Sequence, residues 1–209
     1  MSQAVTRPSR QGHAERSSAS TEAMLNAAVE LILEHGARVS MMAIGRRSGY
    51  SHGLVLARFG SKAGLIGAVT HRVQRHFTDR LTPELAEAQG LDGLLRLVDT
   101  FFADSREQAP ISQAFYVLLG EALGADRDLR EAFARADEAF RRYVAAFLEQ
   151  AQALAELDPA FAPATAAALV VAMLRGTAMQ LHINPDAFDA KEAHREVCQF
   201  IERLRMKRG

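Results

Sequence analysis

The chain has 209 residues, 48% of them apolar, which suits one large domain or a small domain joined to a larger one. Its net charge is zero, but residues 1–80 hold eleven Lys/Arg against five Asp/Glu, whereas residues 81–209 hold fourteen against twenty. This basic N-terminal third suggests a polyanion-binding module. With a single cysteine (Cys198), no secretory signal in residues 1–20 and no uninterrupted apolar run longer than nine residues, we expect a cytoplasmic protein without disulfides or a membrane span.

The N-terminal part of the chain is predicted to be a disordered basic arm followed by four helices. The arm covers residues 1–19, and the first helix covers 21–35, with apolar residues at helical spacing and Gly36 as its end. Three more helices each begin behind a serine: Ser40 for the second, which runs to about Ser48, Ser51 for the third, which runs to about Phe59, and Ser61 for a long fourth helix.

The spacing of Gly45, Gly49 and Val55 favours a helix-turn-helix unit. Gly45 gives the small residue that two crossing helices need, and Gly49 gives a turn residue that tolerates positive φ. Val55 and Phe59, four residues apart, would anchor the third helix to a core. The short third helix is therefore predicted to be a recognition helix, with one face on the core and the other on DNA.

This arrangement assigns contacts to DNA. Gly53 would allow close backbone approach, Leu54 and Arg58 would lie on the outer face with Ala57 between them, and Lys62 would reach a phosphate. The full set of predicted DNA-binding residues is Ser40, Arg46, Arg47, Ser51, His52, Gly53, Leu54, Ala57, Arg58 and Lys62.

Beyond residue 81 the pattern predicts further helices without strands, for a total of about nine. They cover about 91–108, 110–122, 126–155 and 164–183, and a last helix starts behind Asp189 with Glu192 three residues on. The helix over 164–183 is apolar on most of its faces, so we expect it to be buried on most of them. Arg175 within it needs a partner, either an acidic residue or an anionic ligand.

Residues 20–70 resemble the DNA-binding domain of the TetR family (TetR/AcrR-like) of bacterial transcriptional regulators. The family pattern Val-Ser-x-Gly-x-Leu-Tyr-x-x-Phe-x-Ser-Lys-x-x-Leu corresponds here to the stretch from Tyr50 to Leu65, after Ile44-Gly45 and Ser48-Gly49. The family usually has a phosphate-contacting Tyr where Leu56 stands. The resemblance implies an all-α fold: a three-helix helix-turn-helix domain (20–70), joined by a long helix to a helical ligand-binding and dimerisation domain (71–209).

The resemblance also implies a small-molecule effector and a homodimer formed by the last two long helices. For the ligand pocket the candidates are the aromatic residues concentrated in residues 101–161, and the charge in the apolar helix: Phe101, Phe102, Phe115, Tyr116, Phe140, Tyr143 and Arg175. For the dimer interface they are Leu169, Met173, Gly176, Val197, Ile201 and Leu204.

The resulting hypothesis is a ligand-responsive repressor that binds a palindromic operator in double-stranded DNA as a dimer. No Glu-x-x-His pair, Gly-rich phosphate loop, zinc pattern or nucleophile elbow occurs in the sequence, so we expect no enzyme activity, catalytic residue, cofactor or metal. Two alternatives stay open, a non-specific DNA-binding module and a module that answers to a protein partner. A helical-bundle enzyme is the least favoured.

Overall fold

A computed structural model describes residues 10–72, 88–107, 109–124, 127–186 and 188–206. Within these residues the chain is helical, apart from one isolated bridge between Leu157 and Arg205. The described residues form nine α-helices, which are α1 (Arg10–His35), α2 (Met41–Ser48), α3 (His52–Phe59), α4 (described over 62–72), α5 (Gly90–Glu107), α6 (Ala109–Ala122), α7 (Arg127–Ala153), α8 (Pro163–Ile183) and α9 (Ala190–Glu202). The predicted all-α class is confirmed.

The first helix begins earlier than the sequence pattern indicated. It starts at Arg10, so the prediction of a disordered arm is wrong for residues 10–19, while residues 1–9 lie outside the described residues. Residues of good helix propensity such as Glu15, Arg16 and Ala19 favour this extension. The extension is also held in place, because the Ser17 hydroxyl accepts a hydrogen bond from Arg58 of α3.

Two hydrophobic cores divide the molecule. The first core combines α1 to α4 with one side of α6 and the start of α7, so Phe115, Leu118 and Phe133 pack in the same cluster as Ile44 and Val55. The second core combines the apolar sides of α5, α7, α8 and α9. The DNA-binding part predicted over 20–70 therefore shares its core with two helices from the second half of the chain.

Among the described helices, α8 is the one long and apolar enough to cross a membrane by length and composition. One side of it packs in the second core, where Ala167, Val170 and Leu174 are buried, and Arg175 takes part in an ion pair within the chain. Only about a third of its apolar window is buried, so the expectation that this helix is buried on most of its faces is wrong for the single chain. The residues on its other side, among them Leu169 and Ile183, are exposed.

Candidate functional site

The three predicted serine caps of the helix-turn-helix region are confirmed. The Ser40 hydroxyl accepts from the Ala43 N–H at 3.1 Å, and the Ser51 hydroxyl accepts from the Leu54 N–H at 3.2 Å. The Ser61 hydroxyl accepts from the Gly64 N–H at 3.0 Å. Each cap fixes where a helix starts, and each hydroxyl keeps its own proton to donate to an outside acceptor such as a phosphate.

The glycines of the turn have the predicted roles. Gly49 has a φ of 78°, in the left-handed region, and a Cβ on Gly45 would lie 2.8 Å from the Tyr50 carbonyl oxygen. Any side chain at position 45 would therefore push α2 and α3 apart. The sequence reading missed Gly64, where a Cβ would overlap the Phe59 carbonyl oxygen and separate α4 from the end of α3.

The orientation of α3 follows from one buried residue. Val55 is fully buried in the first core, and Phe59, one turn later, packs against that core. The opposite side of the helix is exposed, with Leu54 and Leu56 at 38% and 44% of their full surface. The exposed residues of α3 are His52, Gly53, Leu54, Leu56 and Ala57. Because Gly53 has no side chain and lies between His52 and Leu54 at the N-terminal end of this face, the α3 backbone can come close to a groove.

Arg58 does not lie on the outer face as predicted. It follows Val55 by three residues, which places it on the core side of the helix. Its guanidinium donates to the Ser17 hydroxyl at 2.6 Å and to the Ser20 hydroxyl at 3.4 Å, both on α1. In this conformation Arg58 fixes the angle between α1 and α3 and does not reach outward.

The cations of α2 and α4 near α3 also differ in what they contact. Arg47 pairs with Glu34 at 2.9 Å and with Glu30 at 3.1 Å, so it ties α2 to α1. The hydrogen bond from Arg47 holds the pKa of the exposed Glu34 carboxyl below its ordinary value. Arg46 is exposed, and so is Lys62 at the start of α4. Of these three cations, Arg46 and Lys62 are therefore better placed than Arg47 to meet a polyanion.

Four of the seven pocket candidates meet where α6, α7 and α8 adjoin: Phe115, Tyr116, Phe140 and Arg175. The Arg175 guanidinium carbon lies 5.8 Å from the centroid of the Phe115 ring and 5.6 Å from that of Phe140. Its acidic partner is Asp137 on α7, which also pairs with Arg141. We call Asp137, Arg141, Arg175, Phe115 and Phe140 the Arg175 cluster. It satisfies the predicted need of Arg175 for an acidic residue.

A polar contact lies beside this cluster. The Ser112 hydroxyl is 2.8 Å from Nε2 of His182, whose ring packs 5.4 Å from that of Tyr116. Burial lowers the pKa of His182 and raises that of Tyr116. Sequence analysis did not identify this contact, since nothing in the local pattern shows that two residues 70 positions apart will meet.

The other three pocket candidates pack against the second core. Phe101 and Phe102 stack edge to face at 6.2 Å, and Tyr143 stacks on Phe147 at 5.5 Å. They therefore contribute to the packing of α5, α7, α8 and α9.

The predicted dimer residues fall into two groups. Leu169 is 53% exposed, and Met173 and Gly176 are half-buried on the same side of α8. Val197, Ile201 and Leu204 are buried inside the chain at 7%, 0% and 2% exposure, so their assignment to the interface is wrong. The apolar side of α9 packs into the second core of its own chain. The helical pattern indicates that this side is buried, but it does not indicate whether the same chain or a partner covers it.

The exposed side of α8 continues beyond the predicted residues. Met179 and Ile183 extend it towards the C-terminal end of the helix, and Phe161 and Phe200 frame a cavity of about 220 Å³ beside Leu169. We call this side of the helix, formed by the exposed Leu169, Met179 and Ile183 and the half-buried Met173 and Gly176, the α8 face.

Comparison with known families covers both parts of the chain. Residues 24–69 match the model of the bacterial regulatory proteins of the tetR family, and residues 90–205 match the model of the C-terminal domain of BetI-type transcriptional repressors. No curated protein sequence gives a match.

Solved structures of similar fold belong to the same group of regulators. A TetR-family regulator from Rhodococcus sp. superimposes with a TM-score of 0.80 and 22% identity over 90% of this chain and 100% of that one. The SmeT–triclosan complex contains the repressor of a Stenotrophomonas maltophilia efflux pump. It superimposes with a TM-score of 0.77 and 23% identity over 91% of this chain and 93% of that one. A regulator from Saccharomonospora viridis with bound choline superimposes with a TM-score of 0.72 and 18% identity over 92% of this chain and 100% of that one.

The second of the two family matches spans more than half of the chain, and the first contains the capped helix-turn-helix described above. The chain therefore belongs to the TetR family of bacterial transcriptional regulators.

Proposed function

We propose that this protein is a cytoplasmic homodimeric repressor that reads a palindromic operator with α3 and releases it when a small molecule binds the second domain. The observation that carries the proposal is the two-sided construction of α3. Val55 holds one side in the first core, while a Ser-capped N-terminus and the exposed His52, Leu54 and Ala57 form the other. Members of this family are typically DNA-binding proteins without enzyme activity.

Base contacts are assigned to the residues of α3 that face outward. His52 can donate to or accept from base edges, and Leu54 can contact a thymine methyl. Ala57 and Gly53 keep the surface between them low enough for the helix to enter the major groove. Arg58 is assigned a positioning role, because its guanidinium is held by Ser17 and Ser20.

Phosphate contacts are assigned to hydroxyls at helix starts and to the exposed cations. Ser40 and Ser51 lie at the N-termini of α2 and α3, where backbone N–H groups favour an anion. Arg46 and Lys62 add positive charge. Leu56 is exposed where the family usually has its phosphate-contacting Tyr, so we expect these groups to supply the anchoring that Leu56 does not.

The α8 face is assigned to the dimer contact. It is an apolar strip along α8, and a Cβ at Gly176 would meet no heavy atom of a neighbouring element within 4 Å. Such an opening lets the backbone of a second helix approach closely. A two-fold pair of α8 helices would place two α3 helices on one operator, matching its palindromic symmetry.

The effector is proposed to act on the Arg175 cluster. Two arginines there face one carboxylate between aromatic rings, a balance that favours a small apolar molecule with an acidic group. Phe115 belongs to this cluster and also to the first core that holds α3. A ligand that displaces Phe115 would therefore move α6 against α1 and change the spacing of the recognition helices.

Selection of genomic fragments by the purified protein, followed by sequencing of the bound pool, tests the proposal. Enrichment of a few palindromic sites is the expected result. His52→Ala should change the preferred bases, Lys62→Ala should weaken all sites alike, and the matched control Arg47→Ala should leave the preference unchanged. Uniform recovery of fragments would instead identify a non-specific DNA-binding module.

A further inference from the structure

Three different metal-ligating side chains meet between α5 and α9, on a side of the molecule that the proposed regulation does not use. They are Asp99 of α5 and His194 and Cys198 of α9, and their donor atoms all lie within 4.8 Å of one another. Nε2 of His194 is 2.7 Å from Oδ1 of Asp99. His194 and Cys198 are four residues apart, so consecutive turns of α9 present both to α5.

We propose that Asp99, His194 and Cys198 form a binding site for a divalent transition-metal ion of the zinc class. The donors are one oxygen, one nitrogen and one sulfur, a mixed set that suits Zn²⁺ or Co²⁺ and not Mg²⁺ or Ca²⁺, which take oxygen ligands. In a tetrahedral site with bonds of about 2.0–2.3 Å, neighbouring ligand atoms are about 3.3–3.8 Å apart. Nε2 of His194 and Oδ1 of Asp99 are now 2.7 Å apart, and no two donor atoms are more than 4.8 Å apart, so side-chain displacements of about 1 Å reach that geometry.

An open groove gives an ion access to the cluster. The groove has a volume of about 510 Å³, borders Asp99 and Cys198, and is also lined by Glu202, Arg195 and Arg203. Arg195 is paired with Glu192 at 2.8 Å, and the carboxylate of Asp99 supplies negative charge at the place where the ion would bind. Three protein ligands leave a fourth position, which the groove keeps open for water.

An aromatic neighbour holds His194 in place, and the site is separate from the α8 face. The ring of Phe102 packs 5.0 Å from that of His194 and holds the imidazole against α5. On α9, Phe200 points instead to the cavity beside α8. A bound ion would link α5 to α9 directly, so we expect it to raise the melting temperature.

The sequence alone does not reveal this site. Asp99 precedes His194 by 95 residues, and a His-x-x-x-Cys pair on one helix offers only two ligands. The expectation that the chain holds no metal came from the absence of a zinc pattern. The packing of α5 on α9 supplies the third ligand.

Titration of tag-free, chelator-treated protein with Co²⁺ tests the proposal without any variant. Cys198 is the only cysteine in the chain, so a sulfur-to-cobalt charge-transfer absorption identifies it as a ligand. We expect one ion per chain with that absorption, displaced by Zn²⁺, and a rise in melting temperature. Absence of binding at micromolar metal, or cobalt binding without the sulfur absorption, overturns the proposal.

Conservative variants then test the other ligands. Cys198→Ser should abolish the absorption, and Asp99→Asn and His194→Gln should each lower the affinity at least about 10-fold. His182→Gln and Glu196→Gln serve as matched controls, because neither residue belongs to the cluster. Unchanged affinity in all three ligand variants would show that the ion binds elsewhere. Melting curves in the presence of chelator establish that each variant is folded.

Discussion

The guanidinium of Arg175 lies 5.8 Å from the ring centroid of Phe115, and this contact joins the two halves of the molecule. Arg175 belongs to α8 of the second domain, whereas Phe115 packs in the first core together with Ile44 and Val55. The Arg175 cluster is therefore connected to the helix-turn-helix through one continuous set of packed side chains.

The Arg175 cluster is expected to stabilise the fold through its carboxylate. Asp137→Ala removes the shared partner of Arg141 and Arg175 and leaves a largely buried guanidinium without its ion pair, so the free energy of unfolding should fall by about 1–3 kcal/mol. Urea denaturation measures this free energy of unfolding. The control is Glu138→Ala, which breaks an exposed pair with Arg142 and should cost under about 0.5 kcal/mol. Equal losses in the two variants would mean that the cluster is not a structural centre.

Two glycines of the helix-turn-helix should respond in opposite directions to alanine. Gly45→Ala places a methyl group 2.8 Å from a carbonyl oxygen and should destabilise the protein by about 1–3 kcal/mol. Gly53→Ala has no neighbour closer than the Ser51 hydroxyl at 4.0 Å and should stabilise α3 by up to about 1 kcal/mol. If the α3 backbone approaches DNA closely, Gly53→Ala also weakens operator binding. Thermal unfolding and operator titration together check both effects, and operator affinity unchanged by Gly53→Ala would refute the close approach.

Leu169 of the α8 face should control assembly without contributing to the core of the single chain. Leu169→Glu puts a charge on an exposed apolar strip, and we expect sedimentation to show monomers that remain helical. Ile201→Ala empties a fully buried position and should cost about 2–4 kcal/mol in unfolding free energy. A dimer that persists in Leu169→Glu would place the interface on another surface.

Burial of His182 predicts a pH dependence. Its pKa is lower in the folded chain than the ordinary value of 6.5, so the unfolded chain binds more protons between the two values. The stability contribution of neutral His182 is therefore complete above pH 6.5 and is lost as pH falls through the folded pKa. Urea midpoints on both sides of pH 6.5 should show a smaller acid loss in His182→Gln than in the parent chain. A parent slope in His182→Gln contradicts the prediction.

Local signals in the sequence were sufficient for the helix-turn-helix. Ser40, Ser51 and Gly49 act on residues within four positions, so their roles as caps and turn residue could be derived from spacing alone. Arg58 was misplaced because its partners Ser17 and Ser20 lie about 40 residues away, on a helix whose start the pattern placed too late. Helical periodicity also showed that one side of α9 is buried, but not that its own chain covers Val197 and Ile201.

The continuity of the first core has a practical meaning for building chimeric regulators. A graft that exchanges residues 1–70 for those of a relative would set foreign side chains of α1 against the native Phe115, Leu118 and Phe133. The exchanged DNA-binding domain would lose the part of its core that its own α6 and α7 provide, even though the junction in the chain is correct. A modular swap of operator specificity therefore has to carry the α1-facing side of α6 and the start of α7 with it, or be confined to the outward residues of α3.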